Sequence, residues 1–181
     1  MSTEPAKKAI VLYHANCMDG FGAAWAFHKL REDTYEERCV TYQAVNYGEP
    51  PPWNLLEKHD HCYILDFSYP RSILLQISYL FETTLVLDHH KTAREDLENW
   101  PAKPDNLFIT FDMEQSGAGL TWRTFSSKEP PPLIAYIEDR DLWRFDLWNS
   151  KAVNAFLSNS EKVFDVWDDL NKDLQKDLPG C

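Results

Sequence analysis

Positive charge is scarce in this chain. Eighteen lysines and arginines stand against 29 aspartates and glutamates, a formal net charge of −11 over 181 residues. A protein that holds nucleic acid by phosphate contacts alone carries a basic face. A general DNA-coating role, and binding of extended duplex, are therefore not expected. The deficit leaves room for an enzyme that reaches phosphates through bound divalent cations, because the ions bring the positive charge. No apolar run is long enough to span a membrane, so no membrane partner is expected. The opening Met1-Ser2-Thr3-Glu4-Pro5-Ala6-Lys7-Lys8 reads as a flexible polar arm over 1–8, without the apolar core or cleavage pattern of a secretory signal. Cysteine is sparse too. Cys17, Cys39, Cys62 and Cys181 show no CxxC spacing and read as reduced thiols of a cytoplasmic protein rather than a disulfide framework. Gly20-Phe21-Gly22 is too sparse for a dinucleotide fingerprint, and no internal repeat or low-complexity linker interrupts the chain.

What the chain does have is a globular composition, with 44% hydrophobic and 14% aromatic residues, enough for one substantial core. Apolar runs rich in β-formers predict strands over 9–13, 39–45, 61–66, 84–87 and 107–111. Helical patterning falls at 20–29, 73–80 (opened by Pro70), 119–125, 152–157 and 163–174. The segment 133–137 fits either helix or strand. Pro50-Pro51-Pro52 and Pro130-Pro131-Pro132 punctuate the order. Strands alternating with helices predict an α/β fold: a Rossmann-like, mostly parallel sheet flanked by helices. One domain is expected over 9–160, with 161–181 as a helical tail or interdomain connection.

In such sheets ligands gather beyond the carboxyl ends of the strands. His14 ends the first predicted strand, Asp66 the third, and Asp88-His89-His90 the fourth. An apolar strand ending in one carboxylate and two imidazoles offers ligands suited to Mn²⁺ and similar octahedral ions. His14-Ala15-Asn16-Cys17-Met18-Asp19-Gly20 adds an imidazole, an amide, a thiol and a carboxylate at a strand-to-helix turn. Gly20 lets the backbone pass close to a ligand there. By itself Asp19-Gly20 is an ordinary turn and Asp66 an ordinary helix cap; their shared sheet edge is what favours a metal site. Glu138-Asp139-Arg140-Asp141, between hydrophobic flanks, supplies carboxylates that need a partner if buried.

These motifs, in this order, resemble the DHH phosphoesterase family, named for the triplet standing here at 88–90. The resemblance runs from about Ala9 to Trp143. Members bind two Mn²⁺ or Mg²⁺ ions and hydrolyse phosphodiester or phosphoanhydride bonds; they include single-strand exonucleases, oligoribonucleases, cyclic-dinucleotide phosphodiesterases and inorganic pyrophosphatases. The resemblance implies that Asp66 bridges both ions, that His14 binds one, and that Asp19, His89 and Asp139 bind the other. It makes His90 a contact to the scissile phosphate and Asp88 the group that orients the histidines from behind, so that His90, Asp88 and Asp66 form the catalytic set. Paired ions of this kind neutralise charge on phosphate oxygens and activate water.

Two departures qualify the resemblance. Asn16 and Cys17 occupy the region where many members carry a further aspartate, so one ion site either lacks a carboxylate and binds more weakly or uses Cys17 or a water instead; Cys17 is thereby a candidate ligand and Asn16, with His90 and Arg140, a candidate substrate contact. The second, smaller domain of catalytic members is not expected in 181 residues. The expected activity is a metal-dependent phosphohydrolase acting on phosphodiester bonds of a small nucleotide or short oligonucleotide. The alternatives are an inorganic pyrophosphatase and a catalytically impaired metal- or nucleotide-binding module. Lys91, Arg94, Arg123 and Arg140 are the candidate basic contacts to phosphate, with ordinary surface charge as the default role of each. Trp143 and Trp148 are the candidates for base stacking.

Overall fold

The computed structural model describes residues 6–31 and 34–177. Among these residues five strands form one sheet: β1 (Ala9–His14), β2 (Val40–Val45), β3 (His61–Leu65), β4 (Thr83–Asp88) and β5 (Leu107–Phe111). Their order is β2-β1-β3-β4-β5 and every pairing is parallel. Among the described residues eight α-helices accompany them: α1 (Met18–Leu30), α2 (Trp53–Leu56), α3 (Arg71–Ser78), α4 (Lys91–Leu97), α5 (Gly117–Phe125), α6 (Pro132–Asp141), α7 (Ser150–Ser158) and α8 (Phe164–Asp177). The expected α/β fold with a parallel, helix-flanked sheet is what the chain adopts.

Parallel strands need both faces covered, and side chains alternate between the faces with period two. Ile10, Leu12, Ile64 and Val86 project to one side and pack with Leu74, Ile77 and Leu97 from α3 and α4. Ala9, Val11, Leu65 and Leu87 project to the other and meet Ala23, Phe27 and Leu120 from α1 and α5. A further cluster joins α1, α6, α7 and α8 around Trp25, Ile137, Leu157 and Trp167.

The segment 133–137, open between helix and strand, is helical within α6; Pro132 sits in its first turn, where a missing N–H costs nothing. α2 and α4 had no counterpart in the sequence reading. Within 161–181, expected as a helical tail or interdomain connection, α8 packs against α1. Trp167 of α8 is fully buried, its ring 4.6 Å from that of Phe21, and Trp25 Nε1 donates to Asp168. Of the expected flexible arm, residues 1–5 lie outside the described residues; Lys8 N–H donates to the Asp60 carboxylate at 2.7 Å. Cys39 and Cys62 are buried free thiols and Cys17 a half-buried one, while Cys181 lies outside the described residues. Among the described residues no helix is long and apolar enough to cross a membrane.

Backbone register decides where the site falls. Tyr13 pairs with Leu65, and Leu65 with Leu87. The next residues along, His14, Asp66 and Asp88, therefore stand in one row across three adjacent strands at their carboxyl ends.

Candidate metal centre

Asp66 lies at the middle of that row. Its backbone is left-handed, with φ of 64°, a conformation aspartate accepts more readily than most residues. Its N–H still donates to Leu87 O at 2.9 Å, so the strand ladder continues through the turn. The side chain is almost wholly buried and its two oxygens face different histidines. Oδ1 is 3.1 Å from His89 Nε2, and Oδ2 is 3.6 Å from His14 Nδ1. The second separation is that of an ion pair, too long for a hydrogen bond, and both of those atoms lack a hydrogen-bond partner. Buried polar atoms are nearly always paired; two unpaired ones aimed at each other fit a cation between them.

Asp19 enters from the first turn of α1. Its carboxylate accepts from the N–H groups of Gly117 (2.5 Å) and Ala118 (2.9 Å), capping the start of α5, and approaches His89 Nε2 at 3.4 Å. Two glycines permit this convergence. A Cβ on Gly20 would sit 2.2 Å from His14 O, and one on Gly117 would sit 2.5 Å from Asp66 Cβ. Asp141, the last residue of α6, completes the ring with its Oδ2 3.5 Å from His89 Nε2.

Asp88 is fully buried and saturated. It accepts from Ser68 Oγ (2.6 Å), the N–H groups of His89 (2.7 Å) and His90 (3.1 Å), and faces His90 Nδ1 at 2.7 Å. It therefore holds both histidines in place and has no capacity left for a ligand of its own.

The electrostatics follow from three neighbouring carboxylates, Asp19 and Asp66 buried and Asp141 at the solvent edge. Burial, then Asp66 and Asp141, push the Asp19 carboxyl well above the usual carboxylate range. Asp141 is raised by burial. Burial would raise Asp66 as well, but His14 and His89 outweigh it and bring it down to about 2. The Asp66 carboxylate, then the Cys17 sulfur, lift His14 to about 10. His90 is raised by Asp88. His89 is raised too, because Asp66 outweighs the opposing effect of burial. Without an ion, protons take up the excess negative charge; a divalent cation would replace them.

No family model matches the chain. An uncharacterized protein of Acanthamoeba polyphaga mimivirus is 32% identical over 168 residues, 88% of this chain; the chain spans only 39% of that relative's length. An exopolyphosphatase-related protein from Bacteroides fragilis is similar in structure at a TM-score of 0.45 and 15% identity, over 94% of this chain and 56% of its own. A likeness of that degree carries no weight for function.

Set against the sequence expectations, the structure brings together His14, Cys17, Asp19, Asp66, His89 and His90. Three overlapping donor groups result: His14, Cys17 and Asp66; Asp66, His89 and His90; Asp19, His89 and Asp141. Asp139, expected as a ligand, is turned away. Its carboxylate accepts from Asp146 N (2.8 Å) and Leu147 N (3.4 Å), where it ties down the loop after α6. Asp141 takes the position expected of it, since residues two apart on a helix point to different sides. Asn16, at φ of 56°, donates to Asn46. Beside the cluster opens a cleft of about 690 Å³ whose walls include Asn16, Cys17, Arg140, Asp141, Trp143 and Lys162. Trp143 is 80% exposed there. The other basic candidates are engaged elsewhere: Arg123 with Glu138, Arg94 with Glu98, and Lys91 with Glu95.

Proposed function

We propose that this chain is a divalent-metal-dependent phosphohydrolase of the DHH type, with a two-ion site that takes Mn²⁺ or Mg²⁺ in at least its Asp19, His89 and Asp141 half, acting on phosphodiester bonds of a nucleotide or short oligonucleotide. The observation that carries this reading is Asp66: one buried carboxylate whose two oxygens serve two separate histidines, with unpaired polar atoms facing each other on one side. His14 and Asp66 would hold one ion; Asp19, His89 and Asp141 would hold the second against the same carboxylate. When bound, such ions supply Lewis acidity toward a phosphate oxygen and toward water.

The protein's own groups supply positioning. Asp88 holds the Nδ1 side of His90 and favours its protonated form, leaving Nε2–H to donate to a phosphate oxygen. Arg140 and Lys162 add positive charge along the cleft, and Asn16 offers an amide beside it. Trp143 provides an apolar face large enough for a base. The net acidity of the chain supports ion-mediated, local capture of a short anionic substrate over capture by a broad basic surface.

The test is hydrolysis of bis-p-nitrophenyl phosphate, dinucleotides, short RNA and pyrophosphate by the purified chain with Mn²⁺. Phosphodiester turnover that disappears in Asp66→Ala and His89→Ala is expected. Turnover of pyrophosphate alone would reassign the substrate, and an Asp66→Ala variant with full activity would sink the site.

A further inference from the structure

We propose that the pocket formed by His14, Cys17 and Asp66 is a thiolate-containing site selective for Zn²⁺ or another thiophilic divalent ion, beside a harder pocket formed by Asp19, His89 and Asp141. This rests on reading the cluster as a metal centre and not on phosphoester hydrolysis. The ligand atoms of His14, Cys17 and Asp66 all lie within 4.8 Å of one another. Two of them, His14 Nδ1 and Asp66 Oδ2, are buried without a hydrogen bond. Asp66 is 1% exposed, and its other oxygen is already taken by His89. The 3.6 Å between the unpaired nitrogen and oxygen suits a common ion: bonds of about 2.1 Å at a tetrahedral angle set two donors roughly 3.4 Å apart.

The identity of residue 17 is the second observation. Cys17 is the N-cap of α1, in an extended conformation, and its side chain makes no capping hydrogen bond. Helix stability alone selects serine, aspartate or asparagine at that position. The sulfur instead borders the two unpaired donors. Sulfur, imidazole nitrogen and a single carboxylate oxygen make a borderline-soft set that favours Zn²⁺ over Mg²⁺ or Mn²⁺. His14 and Cys17 also line the cleft, so an ion held by three protein ligands there would be within reach of a substrate or water, as at reactive zinc sites. The Asp19, His89 and Asp141 pocket offers two carboxylates and one imidazole, a set better suited to Mn²⁺. Because Asp66 serves both pockets, two chemically different ions would share one carboxylate.

The full chain, stripped of metal and titrated with Co²⁺, reads this directly. A sulfur-to-cobalt charge-transfer band in the near ultraviolet is expected. It should vanish in Cys17→Ser and persist in Cys181→Ser. Competition titrations should show the preference for Zn²⁺ over Mn²⁺ falling by about tenfold or more in Cys17→Asp, on the scale that site changes shift metal affinity. Serine and aspartate are both good N-caps, so circular dichroism should show both variants folded. A band that survives in folded Cys17→Ser, or a Zn²⁺/Mn²⁺ ratio unmoved across the three residue-17 forms, overturns the proposal. A thiolate band without hydrolysis of any phosphoester would instead remove the phosphohydrolase reading and leave this one standing.

Discussion

Alanine at Gly117 would place a methyl group 2.5 Å from Asp66 Cβ and 2.7 Å from Asp66 Oδ1. Neither contact is sustainable, and neither involves a flexible chain end, because Asp66 is pinned by its buried position and by the strand ladder. Two physical effects of opposite sign compete. Gly117 lies in the first turn of α5, and glycine to alanine in a helix is worth up to about 1 kcal/mol of added stability where there is room. Overpacking a filled site costs about 1–3 kcal/mol. The clash distances decide for the second, so net destabilisation of roughly 1–2 kcal/mol is expected. At about 2–4 °C per kcal/mol for a chain of this size, the metal-free Tm should fall by several degrees. The same displacement moves the carboxylate that both pockets share, so Mn²⁺ affinity should drop about 10–100-fold. Differential scanning calorimetry of the metal-free protein and titration calorimetry with Mn²⁺ measure the two effects separately. A Gly117→Ala protein as stable as wild type, with unchanged Mn²⁺ affinity, would show that α5 does not constrain Asp66 and would refute the geometric reasoning.

Asp141→Asn should weaken metal binding by about tenfold or more while raising metal-free stability, because it removes one of three mutually repelling carboxylates; the two changes have opposite signs in paired calorimetric titration and thermal unfolding. Asp139→Asn should do the reverse, costing about 1–3 kcal/mol through its bonds to Asp146 and Leu147 with metal affinity nearly intact. If Asp139→Asn proved the metal-defective variant, the assignment between these two residues would be overturned. Trp167→Ala should cost about 3–5 kcal/mol in urea unfolding, as befits a core side chain; a loss under about 1 kcal/mol would show that α8 does not contribute to the core.

The strands and the row of donors at their ends were legible because both are local signals. An apolar run rich in Val, Ile and Leu followed by Asp-His-His marks a buried strand and its chemistry together. The choice between Asp139 and Asp141 was not legible. It depends on the rotational setting of α6, which is fixed by packing of Ile134 and Ile137 against α1 and α8 rather than by the acidic residues themselves. α4 went unseen because Lys-Thr-Ala-Arg-Glu-Asp-Leu carries only Ala93 and Leu97 as buried residues, too few for a helical period. Gly117 was missed although its signal was present. Ser116 is a good N-cap ahead of Gly-Ala-Gly, and placing the helix start there would have put Gly117 and Ala118 N–H groups in position to meet an anion such as Asp19.

The row formed by His14, Asp66 and Asp88 has a bearing on how this protein tolerates change. Their mutual spacing is set by the interval between hydrogen-bonded strands, about 4.8 Å, and by a register that no side chain in the site controls. Conservative exchanges among Val, Ile and Leu inside β1, β3 or β4 should leave that ruler untouched. Deleting or inserting a single residue in any one of these strands would slide one donor along its strand, out of the row, by about 3.3 Å and turn it to the opposite face of the sheet. The site is thus far more exposed to changes in the length of its three strands than to changes in their composition.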